Sequence, residues 1–215
     1  MAVITRYEDN PVVEPADVNP SREGFKVLGS FNPGATVHDG DVVLLLRTAE
    51  TCTQKEGTVR VPIYRIDGDE SYPDIMEFDP DDPDVQLKDT RGVTYRGKEY
   101  LSTMSNIRIA RSPDGFNFTV QDEPLIQPEN HSETYGVEDA RITKIDDRYL
   151  INYTAVSTDS WATALAETKD FETIEHKGII FHPENKDVAI FPEKVDGMYH
   201  ALHRPNNSGF GKPSI

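Results

Sequence analysis

One cysteine in 215 residues, Cys52, leaves no partner for an internal disulfide and excludes a zinc cluster built on thiolates. Basic residues are also scarce. Twenty-two Lys and Arg stand against 38 Asp and Glu, a net charge of −16 with a pI near 4.7. A surface of that sign repels a phosphate backbone, so nucleic-acid binding is excluded, and the acidity itself serves solubility. The first residues, MAVITRYEDNPVVEP, hold no apolar run long enough for a signal peptide, and no segment reaches the length of a transmembrane helix. A reducing, cytoplasmic setting with no membrane partner is therefore expected. Six histidines show no HExxH or other tight metal-ligand spacing, and no GxSxG or GxGxxG occurs. No metal site is expected. Helical periodicity is lacking too.

In its place stand short alternating apolar runs broken by turn residues: TVHDGDVVLLLR, VTYRGKEYLSTMS, RITKIDDRYLINYTA and EKVDGMYHALHR. That alternation marks an all-β chain. The four runs align with one another when Asp39-Gly40, Arg96-Gly97, Asp146-Asp147 and Asp196-Gly197 are set in register. Seven residues before each turn stand Asn32, Asp89, Asp139 and Ala189, at intervals of 57, 50 and 50 residues. A second segment repeats as well: IARSPDGFNFTVQDEPLIQPEN (109–130) matches LAETKDFETIEHKGIIFHPEN (165–185). A period of roughly 50 residues holding about four strands is the mark of a β-propeller blade, a β-sandwich with similar hairpins being the alternative. The expectation is a single propeller domain over 1–215, about three blades plus part of a fourth, incomplete at its C-terminal side. Blade symmetry gathers Asn32, Asp89 and Asp139 at the axis. Arg47 and Arg204 share a repeat position, eight residues after Asp39 and Asp196.

Taken in order, the strings FNPGA (31–35) with Arg47, SPDGFNF (112–118), GVEDARIT (136–143) and NKDVAIFPEKVDGMYHALHRP (185–205) resemble glycoside hydrolase family 130. Its members are five-bladed propellers, the mannoside phosphorylases and mannosidases. The resemblance implies that Asp139 is the catalytic acid, protonating the glycosidic oxygen through a hydroxyl of the mannosyl ring. Inorganic phosphate then attacks the anomeric carbon from the opposite face with inversion, releasing α-mannose 1-phosphate. It further implies that Asn32 and Arg47, with Asp89 as a repeat-related candidate, hold the mannosyl unit. Lys186 and Arg204, with His203 beside them, would hold phosphate. The sequence departs from some members at Asp187, where they carry asparagine, and this sets a negative charge near the presumed anion site.

The chemistry matches these residue types. Cleaving an acetal needs a proton donor at the leaving oxygen and a nucleophile across the ring. A phosphorylase needs cations for its anionic nucleophile; an inverting hydrolase needs a second carboxylate to activate water. Hydrolysis of the same bond, or glycan binding without turnover, are the alternative readings. No organic cofactor is implied. The expected partners are a manno-oligosaccharide and phosphate, with self-association into a homo-oligomer left open. Alternation along a strand puts Glu138 on the face opposite Asp139, and an Asp139–Arg141 ion pair is the structural alternative to catalysis. Arg47, following VVLLL, calls for a buried partner or a ligand. Trp161 stands either in blade packing or against a pyranose face.

Overall fold

The computed structural model describes residues 6–68, 70–88 and 91–206. Alternating burial along each run yields strands as expected, and among the described residues helical structure is confined to two 3₁₀ turns, Pro15–Asp17 and His131–Glu133. Strands β1 (Phe25–His38) and β2 (Asp41–Cys52) form a long hairpin around Asp39-Gly40. Then come β3 (Val59–Asp67), β4 (Glu70–Phe78), β5 (Val85–Lys88), β6 (Gly92–Tyr95) and β7 (Lys98–Leu101). They are followed by β8 (Met104–Ser112) and β9 (Thr119–Val120). A second meander contains β10 (Gly136–Ile145), β11 (Arg148–Val156), β12 (Trp161–Thr168) and β13 (Glu175–Phe181). Strands β14 (Asn185–Ile190) and β15 (Ala201–Pro205) begin a third unit.

Pairing runs β1-β2-β8-β9 in one four-stranded unit and β10-β11-β12-β13 in the next. Among the described residues, their one ladder pairing is a parallel bridge between Gly136 and Ser105. Gly136 is required there: it has φ +110°, and a Cβ would lie 2.0 Å from the Ser105 carbonyl oxygen. Each unit is an antiparallel meander of the blade type. Between them lies the main core, including Val43, Leu45, Ile107, Ile109, Val137, Tyr149, Ile151 and Phe171, all 2% exposed or less. Full burial of each such side chain contributes about 1.5–3 kcal/mol.

This topology corrects the blade count. The described residues form two complete blades and the inner pair of another, rather than three and part of a fourth. The hairpin GVTYRGKEYL forms around Arg96-Gly97, yet it belongs to a separate sheet, β5-β6-β7. That sheet and the β3–β4 hairpin are inserted between the second and third strands of the first blade, because β2 pairs with β8 over nine residues from Val42–Ser112 to Glu50–Met104. Turn chemistry fixes a hairpin locally but does not encode which sheet the hairpin joins. Asp89 lies outside the described residues, and the strands on either side of it are in the inserted sheet. The second repeated segment holds: Asp114 accepts hydrogen bonds from the Phe116 and Asn117 amides, and Asp170 accepts them from Glu172 and Thr173.

Candidate functional site

The innermost strand of every unit carries the same bulge. In β1 the ladder passes from the Phe31–Arg47 pair to Gly34–Leu45, in β10 from Glu138–Thr154 to Arg141–Asn152, and in β14 from Lys186–Arg204 to Ala189–Leu202. The first extra residue is left-handed each time: Asn32 at φ 48°, Asp139 at 52° and Asp187 at 57°. Asn and Asp are the side-chain-bearing residues that adopt this conformation most readily. A bulge of this kind re-aims its side chain out of the strand's alternation. The repeat position equivalent to Asn32 and Asp139 is therefore Asp187, not Ala189. Counting seven back from Asp196-Gly197 falls short because this hairpin holds extra residues between the Phe191–His200 and Val195–Met198 contacts.

The three bulges converge. Asn32, Pro33, Asp139, Ala140, Arg141 and Asp187 line one cleft of about 390 Å³. Gly34 permits the approach of β1 to β10, since a Cβ there would stand 2.6 Å from the Ala140 carbonyl oxygen. Asn32 Nδ2 donates to Asp139 Oδ1 at 3.1 Å, and Arg47 Nη1 donates to the same oxygen at 3.3 Å. Arg47 Nη2 donates to Glu138 Oε1 at 2.6 Å and its Nε to Ser105 Oγ at 3.2 Å, while the guanidinium lies 5.1 Å from the Phe31 ring centroid. Arg47 thus has the partners its burial demanded. Asp139 bonds to Asn32 and Arg47, whereas Arg141 forms no ion pair among the described residues and turns to the cleft as a cation.

Glu138 departs from expectation. The bulge that begins at the next residue breaks the alternation, so Glu138 and Asp139 reach the same guanidinium and the Glu138 side chain is only 22% exposed. Burial pushes its carboxyl above the usual range, against the lowering pull of Arg47; Asp139 raises it further and Lys186 lowers it. On the third unit, Arg204 Nε and Nη2 both donate to Asp187 Oδ2, at 2.9 and 2.5 Å. Lys186 and Arg204 are paired across the ladder beside the bulge. His203 does not join them. Its ring stacks on Phe181 at 4.8 Å, and its Nδ1 lies 2.8 Å from Asn185 Nδ2, on the side away from Arg204. Sequence reasoning missed Ser105 and Phe31, which carry no repeat signature, and misread Asp187. Aligning the bulge strings NP, DA and DV would have found the last.

Comparison with known proteins adds the following. The profile of one family, described as beta-1,4-mannooligosaccharide phosphorylase (Glyco_hydro_130), matches residues 86–210. A beta-1,2-mannobiose phosphorylase of Listeria innocua is 45% identical over 99% of this chain, which spans 61% of that protein. A 1,2-beta-oligomannan phosphorylase of a Thermoanaerobacter species is 38% identical over 49% of this chain and 37% of its own length. Among solved structures, the Listeria innocua beta-1,2-mannobiose phosphorylase in complex with beta-1,2-mannobiose superposes with a TM-score of 0.86 at 45% identity, over 96% of this chain and 59% of that one. A glycosyl hydrolase from Bacteroides ovatus shares the fold at 19% identity and a TM-score of 0.62, over 93% and 54%.

Proposed function

Because the chain belongs to glycoside hydrolase family 130, we propose that it supplies the acid and much of the phosphate site of a five-bladed propeller enzyme. The reaction is inverting phosphorolysis of β-1,2-linked manno-oligosaccharides. Asp139 supplies a proton to the glycosidic oxygen by way of a mannosyl hydroxyl. Phosphate attacks the anomeric carbon from the opposite face, the C–O bond to the leaving sugar breaks, and α-mannose 1-phosphate departs with a shortened saccharide. Asn32 and Arg47 fix the acid and the mannosyl unit together. Lys186 and Arg204 stand at the anion side, where Arg204 keeps guanidinium donors beyond those bound to Asp187. Arg141 adds positive charge at the rim.

One observation carries the choice of phosphorolysis. The chain neighbour Glu138 is held by Arg47, and Asp187, which lines the cleft with Asp139, is held by Arg204, which supports phosphate over water as the nucleophile. The reading in favour of hydrolysis rests on Asp187, which lines the cleft and would activate water if Arg204 released it. The two separate in one experiment. The full-length protein is incubated with β-1,2-mannobiose, with and without inorganic phosphate. Mannose 1-phosphate forming only with phosphate is the expected result; free mannose at equal rates in both reactions overturns it.

A further inference from the structure

A second hollow of about 380 Å³ lies on the second blade, at the end where β10 starts, separate from the cleft. Gly136 pairs with Val156, and Val156 with Trp161. Trp161 therefore sits two strand steps out from the innermost strand, roughly 10 Å, with Asp139 roughly another 10 Å along β10. Its walls combine Trp161, Ile179 and Pro183 with His131, Asp159 and His182. The Trp161 indole N–H is shielded from solvent without a partner while the residue stays partly exposed, so the hollow is not met by the ring's polar group. Among the described residues, the side chains of His131, Asp159 and His182 have no hydrogen-bond or ion-pair partner.

The walls are fixed in advance. The Ser157 amide donates to the Ser160 carbonyl at 2.9 Å, and Ser157 Oγ accepts from the Asp159 and Ser160 amides, which closes the turn carrying Asp159. The turn carrying His131 is pinned by Glu133, 1% exposed, which accepts from the Glu129 amide and the Tyr153 hydroxyl. An apolar aromatic floor with idle carboxylate and imidazole groups at its edge suits a neutral pyranose ring. The ring's C–H face covers carbon, and its equatorial hydroxyls meet the polar rim. Pre-formed walls keep the ordering cost of such binding low.

We propose that this hollow is a second saccharide site, taking a hexopyranose unit of an oligosaccharide at a distance from the bond being cleaved. The choice of mannoside as ligand rests on the function proposed above; the site itself does not. Trp161 is the one tryptophan of this sequence, and its emission provides a readout independent of turnover. Full-length protein carrying Asp139→Asn is titrated with β-1,2-mannotetraose, and the Trp161→Phe spectrum is subtracted. A saturable change in Trp161 emission is expected, with Kd raised roughly tenfold by His182→Ala or Asp159→Asn, about 1.4 kcal/mol. The same two variants in the Asp139 background should leave disaccharide phosphorolysis unchanged. An emission response without any phosphorolysis in the native protein would sink the proposed reaction and leave the site standing. Phosphorolysis of mannobiose with no Trp161 response to tetraose at millimolar concentration overturns the site.

Discussion

At Asp139 three side chains meet one carboxylate oxygen's surroundings: Asn32 and Arg47 donate to it, and Glu138 shares the same guanidinium. Replacing Asp139 by Asn removes the transferable proton and keeps the shape. Phosphorolysis should fall by about 10²–10⁴-fold, while mannobiose binding, followed by calorimetry, persists. Arg47→Met strips the cation bonded to both acids. Glu138, already held above its ordinary range by burial, then rises further, because the cation that lowers it is gone and the neighbouring carboxylate remains. The alkaline limb of the pH–rate profile should move to higher pH as the maximal rate drops. An unmoved limb would show that Arg47 does not control the acid. At this scale the sequence expected Asp139, Asn32 and Arg47 to stand together, and their side chains do meet. It misplaced Glu138, because strict alternation holds only where no bulge intervenes.

At the scale of elements, the recurring device is the bulge, three times with a left-handed Asn or Asp. Asn32→Val would place a β-branched residue at φ 48° and cost about 1–2 kcal/mol of strain besides the lost hydrogen bond. A second recurring device is the Asp loop after the third strand of each blade. Backbone amides hold both carboxyls below the ordinary range, Asn117 first for Asp114 and Thr173 first for Asp170. A lowered folded pKa means that the unfolded chain takes up protons first. The stability these loops provide is thus complete above the ordinary carboxylate pKa and is lost as pH falls through the folded values. The Asp114→Ala/Asp170→Ala double variant should unfold at lower urea concentration than the native protein at pH 7. The gap should narrow as the pH approaches 2; a constant gap would exclude this origin. The loops were readable as a repeat because SPDGF and TKDF keep their spacing, whereas the bulges were hidden by register.

Across the whole molecule, a buried pair ties distant segments to the first blade. Arg108 Nη2 lies 3.5 Å from Glu50 Oε1, with side chains 1% and 0% exposed, and Ser21 from the leading segment donates to Glu50 through both amide and hydroxyl. Arg108→Leu leaves a buried carboxylate without its counter-charge and should cost about 3–5 kcal/mol, read as a lower denaturation midpoint. Activity per folded molecule should hold, since the pair stands apart from the cleft. The sequence by itself determined the all-β class, the two-residue hairpins and the Asp loops, for each is written in residues close together along the chain. Only the tertiary structure decided that strands β3 to β7 form an insertion rather than a blade, that Asp187 and not Ala189 completes the set of bulges, and that His203 packs on Phe181. Those outcomes depend on which strand pairs with which across long separations, and turn chemistry leaves that choice open.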